Sequence, residues 1–192
     1  MLPNFGPVVA AATLFIQSYN QTVQLYRLGE TPAVLSKSIA SYYGDTNFIG
    51  FWGGTSLSNL NQTYVYKSTK QSVDFYEKVG YGYDIRILSF KVEPYSEDGA
   101  AIWVNWNLKP KNKAKDVEWM TLYGYRMKNA QNPTLYQDVK SRCAPEGSLA
   151  CKVGGKAKVQ GWFEFTMTDN EIQTFSERIP NYLQGVYSTP TE

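Results

Sequence analysis

The side chains available for chemistry in this chain of 192 residues are mainly carboxylates and phenols, because the sequence contains no histidine. It holds 15 tyrosines, 9 phenylalanines and 5 tryptophans. Histidine is the usual proton shuttle near neutral pH, so its absence excludes Ser-His-Asp and Cys-His nucleophilic sites and His-ligated zinc. Proton transfer would fall to Asp, Glu, Tyr, Lys or Cys with a shifted pKa. The aromatic residues favour an apolar pocket that holds a few oriented hydroxyls.

The first candidate acid or base is Glu164, in a strand predicted at 161–167. Alternation places Glu164 on one face with Trp162 and Thr166, and the opposite face is wholly apolar. One interpretation turns the apolar face to the core and Glu164 outward: Phe163, Phe165 and Met167 would then be core residues. The other places Glu164 in a pocket with Trp162, where burial raises a glutamate pKa towards neutrality and makes it a usable acid or base.

A second candidate is a pair of phenols in the strand predicted at 117–128. Tyr123 and Tyr125 share one face with Trp119 and Thr121. The two hydroxyls could present hydrogen bonds to a ligand oxygen, in the manner of an oxyanion hole. The alternative is aromatic packing in a cross-strand ladder.

Further candidates lie on the other strands and on the helices. Asp84 and Arg86, two residues apart, could pair at a cavity rim or form an inert surface pair. Asn105 could orient a ligand carbonyl, or could lie with Trp103 on a solvated or dimer face. Three aromatic residues could form the apolar wall of a ligand-binding site or could equally pack in the core: Tyr19, Tyr43 and Trp52.

No motif indicates a cofactor or a metal. There is no phosphate loop, Rossmann fingerprint or GxSxG elbow, and no cluster of carboxylates. The net charge of +2 and the absence of a base-stacking motif argue against nucleic acid as a partner. No apolar stretch reaches the roughly 20 residues of a membrane span, so no membrane association is expected.

Length predicts a single domain over 1–192, with an insertion loop at about 130–158. The only cysteines, Cys143 and Cys151, lie in that loop and could close a small disulfide ring, or remain thiols in a reducing cytosol. The triplets at Asn20 and Asn61 would accept glycans in a secreted protein. A cytoplasmic location is favoured, and secretion stays open.

The periodicity of the chain switches from helical to alternating near residue 84. Helices are predicted at 7–28, 32–43 and 64–79, with a short strand at 48–52 between the last two. Strands follow at 84–93, 100–108, 117–128 and 161–167, then a closing helix at 170–179. Three helices followed by a meander of long strands predict an α+β fold, in which the helices cover one face of the sheet.

This layout resembles the nuclear transport factor 2-like superfamily, also called SnoaL-like. The stretch from Leu14 to Gly29 looks like its long first helix. The segment 38–51, which reads SIASYYGDTNFIGF, looks like its second helix running into the first strand. The segment 64–79 looks like its third helix and 84–127 like its hairpin strands. The resemblance covers most of the chain apart from 130–158 and the tail. It implies a cone-shaped, curved antiparallel sheet packed against three N-terminal helices.

The resemblance also implies a pocket for a small apolar or polycyclic molecule, and the family's habits imply a homodimer. One hypothesis is a cofactor-independent isomerase, dehydratase or cyclase, with Glu164 or Asp84 as base and Tyr123 or Tyr125 as proton donor. Scytalone dehydratase depends on histidines, so its mechanism does not apply to this chain. The alternative hypothesis is a non-catalytic ligand-binding or protein-interaction module, secreted or not.

Overall fold

The computed structural model describes residues 4–44, 48–127 and 161–186. Within them the chain forms five α-helices, one 3-10 helix and six strands in an α+β arrangement, as predicted. In chain order these elements are α1 (Gly6–Val23), the 3-10 helix (Gln24–Leu28), α2 (Pro32–Ala40), β1 (Phe48–Trp52), β2 (Thr55–Leu60), α3 (Gln62–Lys78), β3 (Ile85–Pro94), β4 (Gly99–Leu108), β5 (Val117–Arg126), β6 (Trp162–Met167), α4 (Asp169–Ser176) and α5 (Tyr182–Val186).

The N-terminal helices begin and end at local sequence signals. Pro7 occupies the first turn of α1, where a missing N–H costs nothing. The predicted helix 7–28 continues as a 3-10 turn and stops at Gly29, whose φ of 88° is left-handed. Thr31 caps α2 by accepting a hydrogen bond from the Val34 N–H at 3.4 Å. The helix predicted to reach residue 43 ends at Ala40.

The third helix, α3, begins two residues before its predicted start because Asn61 caps it. The Asn61 side-chain oxygen accepts a hydrogen bond from the Tyr64 N–H at 2.9 Å. Such a cap satisfies one of the backbone donors that a helix leaves unpaired at its N-terminus. In this structure the Asn61 triplet therefore has a local structural role.

The six strands form one curved, unclosed sheet in the order β2-β1-β6-β5-β4-β3. The long strands β3, β4 and β5 pair antiparallel as a meander, and β6 continues it along β5. Strand β1 joins the edge of β6 in parallel. Two elements were not predicted: β2, whose mostly polar residues show no clear alternation, and the five-residue helix α5.

The predicted alternation along β6 is wrong in its second half. The pairing with β5 shifts between Gly124 and Tyr125, where Tyr125 lies opposite Phe163 and Gly124 opposite Phe165. This bulge adds one residue to β6 and reverses the alternation after it. Phe163 is therefore fully buried as predicted, but Phe165 and Met167 lie on the outer face and Thr166 turns inward.

The core lies between the helices and the concave face of the sheet. Phe15 of α1 is fully buried there and packs edge-on against Tyr42 and Phe163, with ring centroids 5.3 and 4.8 Å apart. The Tyr42 hydroxyl is hydrogen-bonded to Ser18 at 2.7 Å and to Thr22 at 2.9 Å. These bonds tie the end of α2 to α1, so that both helices present fixed side chains to the sheet.

The predicted insertion 130–158, with Cys143 and Cys151, lies outside the described residues. The expected single domain over 1–192 therefore stays a prediction. No helix in the described part of the chain is long and apolar enough to cross a membrane.

Candidate functional site

A cavity of about 370 Å³ lies between the three N-terminal helices and the concave face of the sheet. Its volume falls within the range of small-molecule sites. The lining combines apolar residues, six tyrosines, several hydroxyl and amide side chains and one carboxylic acid: Tyr19, Val23, Ile39, Tyr43, Phe48, Trp52, Leu57, Tyr64, Val65, Ser68, Thr69, Gln71, Ser72, Tyr76, Tyr83, Ile85, Trp106, Trp119, Tyr123, Thr166, Thr168, Glu171 and Val186.

The single carboxylic acid among these lining residues is Glu171, in the first turn of α4. The sequence Thr168-Asp169-Asn170-Glu171 has the spacing of a capping box, in which the acid would bond back to the start of its own helix. Here the Thr168 side chain makes no capping hydrogen bond. The Glu171 carboxylate instead accepts a hydrogen bond from the Tyr182 hydroxyl of α5 at 3.2 Å. Glu171, which has the sequence pattern of a helix cap, is thus a lining residue of the cavity.

Burial raises the pKa of Glu171 from its ordinary value of 4.5 to about 7. Glu171 as a whole is half-buried and contributes to the cavity lining. Two groups lower the pKa of Glu171 in opposition to burial. One is the Tyr182 hydroxyl, through its hydrogen bond, and the other is the nearby indole N–H of Trp119. With a pKa near 7, Glu171 is present in both protonation states at neutral pH, so it can donate or accept a proton there.

Three further polar atoms at this end of the cavity have no hydrogen-bond partner within the described residues: Trp119 Nε1, Thr166 Oγ1 and Thr168 Oγ1. Trp119 and Thr166 are both more than nine-tenths buried. The Trp119 N–H influences the pKa of Glu171 without the geometry of a hydrogen bond to it. Buried polar groups are normally paired with protein or water. The three atoms are inaccessible to solvent, so among the described residues they are unpaired polar atoms within the cavity wall.

The buried tyrosines of the cavity are held in their protonated form. The Tyr19 and Tyr43 hydroxyls are hydrogen-bonded at 3.1 Å. Burial raises the pKa of Tyr43 to about 12 and moves the pKa values of Tyr19, Tyr83 and Tyr123 well above 10. Negative charge on Glu171 also raises the pKa of Tyr43, Tyr83 and Tyr123. At neutral pH these phenols are hydrogen-bond donors, not bases.

Five of the residues that the sequence analysis selected line this cavity: Tyr19, Tyr43, Trp52, Trp119 and Tyr123. Tyr125 shares the inward face of β5 with Tyr123 but is fully buried against Phe15, at a centroid distance of 4.9 Å. Tyr123 itself stacks on Phe163 at 4.4 Å. The two phenols thus face the same side of the sheet, and only Tyr123 is at the cavity wall.

Glu164 lies on the outer side of the sheet, away from the cavity lining. Its carboxylate accepts two hydrogen bonds from the Arg126 guanidinium, at 3.0 and 3.1 Å, and a short hydrogen bond from the Tyr95 hydroxyl. Arg126 also pairs with Asp98 at 2.7 Å. Both carboxylate oxygens of Glu164 are thus engaged by the arginine in a bidentate pair. This placement corresponds to the outward alternative for Glu164.

The remaining candidates lie outside the cavity lining as well. Arg86 is exposed and donates to the Asn107 side chain at 3.3 Å, and no ion pair joins it to Asp84 within the described residues. On the outer face, Trp103 donates to Glu93 at 2.9 Å and Asn105 donates to Ser89 at 2.9 Å. Trp162 is buried at the start of β6, opposite Arg126.

Glu171, Tyr76, Tyr83 and Tyr182 were not predicted as site residues. Glu171 carried only the helix-start signal of a capping box, and the tyrosines were indistinguishable from the other aromatic residues. The described residues include no group of three or more Cys, Asp or Glu that could hold a metal ion.

No family model matches the sequence, and no curated protein matches it. Solved structures with a similar fold include a domain of unknown function with a cystatin-like fold from Nostoc punctiforme, 14% identical, with a TM-score of 0.50. The matched region covers 91% of this chain and 86% of the Nostoc punctiforme chain. An NTF-2 like protein of unknown function from Shewanella oneidensis is 8% identical, covers 81% of this chain and 96% of its own, and has a TM-score of 0.49.

A phenazine biosynthesis-related protein from Pseudomonas aeruginosa is also similar, at 10% identity and a TM-score of 0.40, covering 89% of this chain and 92% of its own. At such low identities these likenesses concern the fold alone. The helices and the curved six-stranded sheet confirm the predicted α+β fold, and the likeness to the Nostoc punctiforme domain concerns that fold alone.

Proposed function

We propose that the protein binds a small, mostly apolar molecule in the cavity and catalyses proton transfer on it without a cofactor, with Glu171 as the acid–base group. The observation that carries this proposal is the pairing of one carboxylic acid of pKa about 7 with an aromatic cavity of about 370 Å³. A general acid or base works best when its pKa lies near the operating pH. Isomerisation, dehydration and cyclisation by proton transfer can all use such a group.

The charges of the cavity support an uncharged ligand. Among the described lining residues there is no Lys or Arg that could pair with an anion. The one carboxylic acid of the described lining is Glu171, which can donate a hydrogen bond when its carboxyl group is protonated. A single carboxyl group inside aromatic walls favours a molecule with one oxygen-bearing edge and an apolar body.

The proposal is tested by proton exchange on a model ketone. The probe is 2-tetralone, a bicyclic ketone whose C–H bonds beside the carbonyl exchange with D₂O, and exchange is followed by proton NMR. We expect the unmodified protein to accelerate exchange and Glu171→Gln to lose about a hundredfold or more of this acceleration, the usual share of general acid–base catalysis. Quenching of tryptophan fluorescence should show that Glu171→Gln still binds the ketone.

Glu164→Gln is the matched control, because it makes the same chemical change on the outer face of the sheet. It should leave the exchange rate unchanged. Equal losses in both variants, or binding of the ketone with no acceleration by the unmodified protein, would count against catalysis by Glu171. In the second case the non-catalytic ligand-binding alternative would be preferred.

We also propose that the outer face of the sheet pairs with a second copy of the chain. Large apolar side chains are exposed there on four neighbouring strands: Leu88, Trp103, Met120 and Met167. Several large apolar side chains exposed on one face of a sheet are typical of association sites. Sedimentation velocity should detect a dimer that Met120→Lys converts to a monomer, whereas a monomeric unmodified protein would overturn this proposal.

A further inference from the structure

Helix α5 brings Tyr182 into contact with Glu171, the carboxylic acid of the cavity lining. Tyr182 is almost fully buried, and its ring stacks on Phe175 with centroids 5.3 Å apart. The helix is held against α3 because the Gln71 side-chain amide donates to the Gly185 carbonyl at 3.1 Å. Its last residue, Val186, lines the cavity. The position of the Tyr182 ring is therefore set by its stacking on Phe175 and by the attachment of α5 to α3.

Three polar groups form a directed chain of hydrogen bonds through Tyr182. The Tyr76 hydroxyl donates to the Tyr182 hydroxyl at 3.3 Å, and the Tyr182 hydroxyl donates to Oε1 of Glu171 at 3.2 Å. Because the Tyr182 hydroxyl accepts a hydrogen bond from Tyr76, its own hydrogen is directed to Glu171. The second carboxyl oxygen, Oε2, has no hydrogen-bond partner within the described residues.

We propose that Tyr182 is a positioning residue. Its hydroxyl donates a hydrogen bond to Oε1 of Glu171, and this leaves Oε2 as the oxygen that exchanges a proton with a molecule in the cavity. The inference rests on the proposed role of Glu171 and adds to it the identity of the reacting oxygen. An oxygen that already accepts a hydrogen bond is the weaker base of the two. The bond also keeps the carboxyl group from rotating, which preserves the geometry that proton transfer needs.

The surroundings of Glu171 leave this hydrogen bond with few competitors. The groups that interact electrostatically with the carboxylate are the Trp119 N–H and three phenols, Tyr43, Tyr83 and Tyr123. Within the described lining of the cavity no Lys or Arg offsets its charge. Loss of the Tyr182 hydroxyl should therefore alter the protonation of Glu171 directly.

The experiment measures the pKa of Glu171 by NMR titration of protein labelled with ¹³C in its glutamate side chains, with Glu171→Gln used to assign the signal. In Tyr182→Phe the carboxylate loses a hydrogen bond, and its pKa should rise by about one pH unit. Tyr76→Phe is the matched control. It removes an equally buried hydroxyl from the same chain of hydrogen bonds but leaves the bond to Glu171 in place, so the pKa should move much less.

Replacement of Tyr182 by 3-fluorotyrosine gives a second measurement that keeps the aromatic packing. The fluorinated phenol is a stronger donor, so the pKa of Glu171 should fall. This measurement decides the matter if Tyr182→Phe does not fold. A pKa that stays constant in both Tyr182 variants, or shifts equally in Tyr76→Phe, overturns the proposal.

The same titration separates the two proposals. If Glu171 of the unmodified protein titrates near 4.5, its role as the acid–base group fails. If it titrates near 7 and the Tyr182 variants do not move it, only the positioning role fails.

Discussion

The buried carboxyl group of Glu171 should make the stability of this protein fall as the pH rises towards neutrality. Folding raises its pKa from 4.5 to about 7, so the folded state binds the proton more tightly than the unfolded state. The resulting stabilisation is fully present below pH 4.5 and is lost as the pH rises through about 7. The difference of about 2.5 pH units, at about 1.4 kcal/mol for each, corresponds to about 3 kcal/mol.

Glu171→Gln isolates this contribution because glutamine stays neutral at every pH and can still accept the Tyr182 hydrogen bond. At low pH the variant and the unmodified protein should have similar free energies of unfolding. Above neutrality the variant should be more stable by about 3 kcal/mol. Other carboxylates titrate in both proteins, so their effects cancel in the difference.

The measurement is urea unfolding followed by tryptophan fluorescence, repeated at intervals from pH 4.5 to above 8, with the free energy taken from linear extrapolation. Glu164→Gln serves as the control, since it removes a carboxylate that is paired with Arg126 and should lower stability instead. A difference between Glu171→Gln and the unmodified protein that does not change with pH would refute the reasoning. So would a variant that is less stable above neutrality.

Three further predictions concern the fold. Phe15→Ala should lower the free energy of unfolding by about 3–5 kcal/mol, because it leaves a hole at the centre of the aromatic core, and urea unfolding checks this. Gly124→Ala should cost about 1–3 kcal/mol, since its new methyl group would lie 2.1 Å from the Phe165 ring, and a thermal melt should show the loss. Asn61→Ala should cost about 1 kcal/mol through loss of the α3 cap, whereas Asn61→Asp should restore it. Equal melting temperatures for the two Asn61 variants would contradict the capping role.

Most helices and strands were predictable because their signals are local. The period of apolar residues, the Thr31 cap and the Gly29 stop located α1 and α2, and alternation located the three long strands. Strand β2 was missed because it takes its shape from pairing with β1 rather than from its own mostly polar residues. Propensity is weak evidence for such an edge strand.

The candidate site was only half predictable. Tyr19, Tyr43, Trp52, Trp119 and Tyr123 were selected as aromatic residues on inward faces, and they line the cavity. The acid was not found. Glu171 has the spacing of an ordinary helix cap, and its distinguishing contact, Tyr182, belongs to a different helix.

By itself, the sequence determines the absence of histidine chemistry, the α+β order of elements and the aromatic character of the interior, because composition and periodicity are properties of the chain alone. Only the tertiary structure decides which carboxylate meets that interior. A bulge in β6 turns Thr166 inward, Arg126 holds Glu164 on the outer face, and α5 places Tyr182 in hydrogen-bond contact with Glu171. A pKa near neutrality arises from desolvation by groups that are distant in sequence, so no local pattern can encode it.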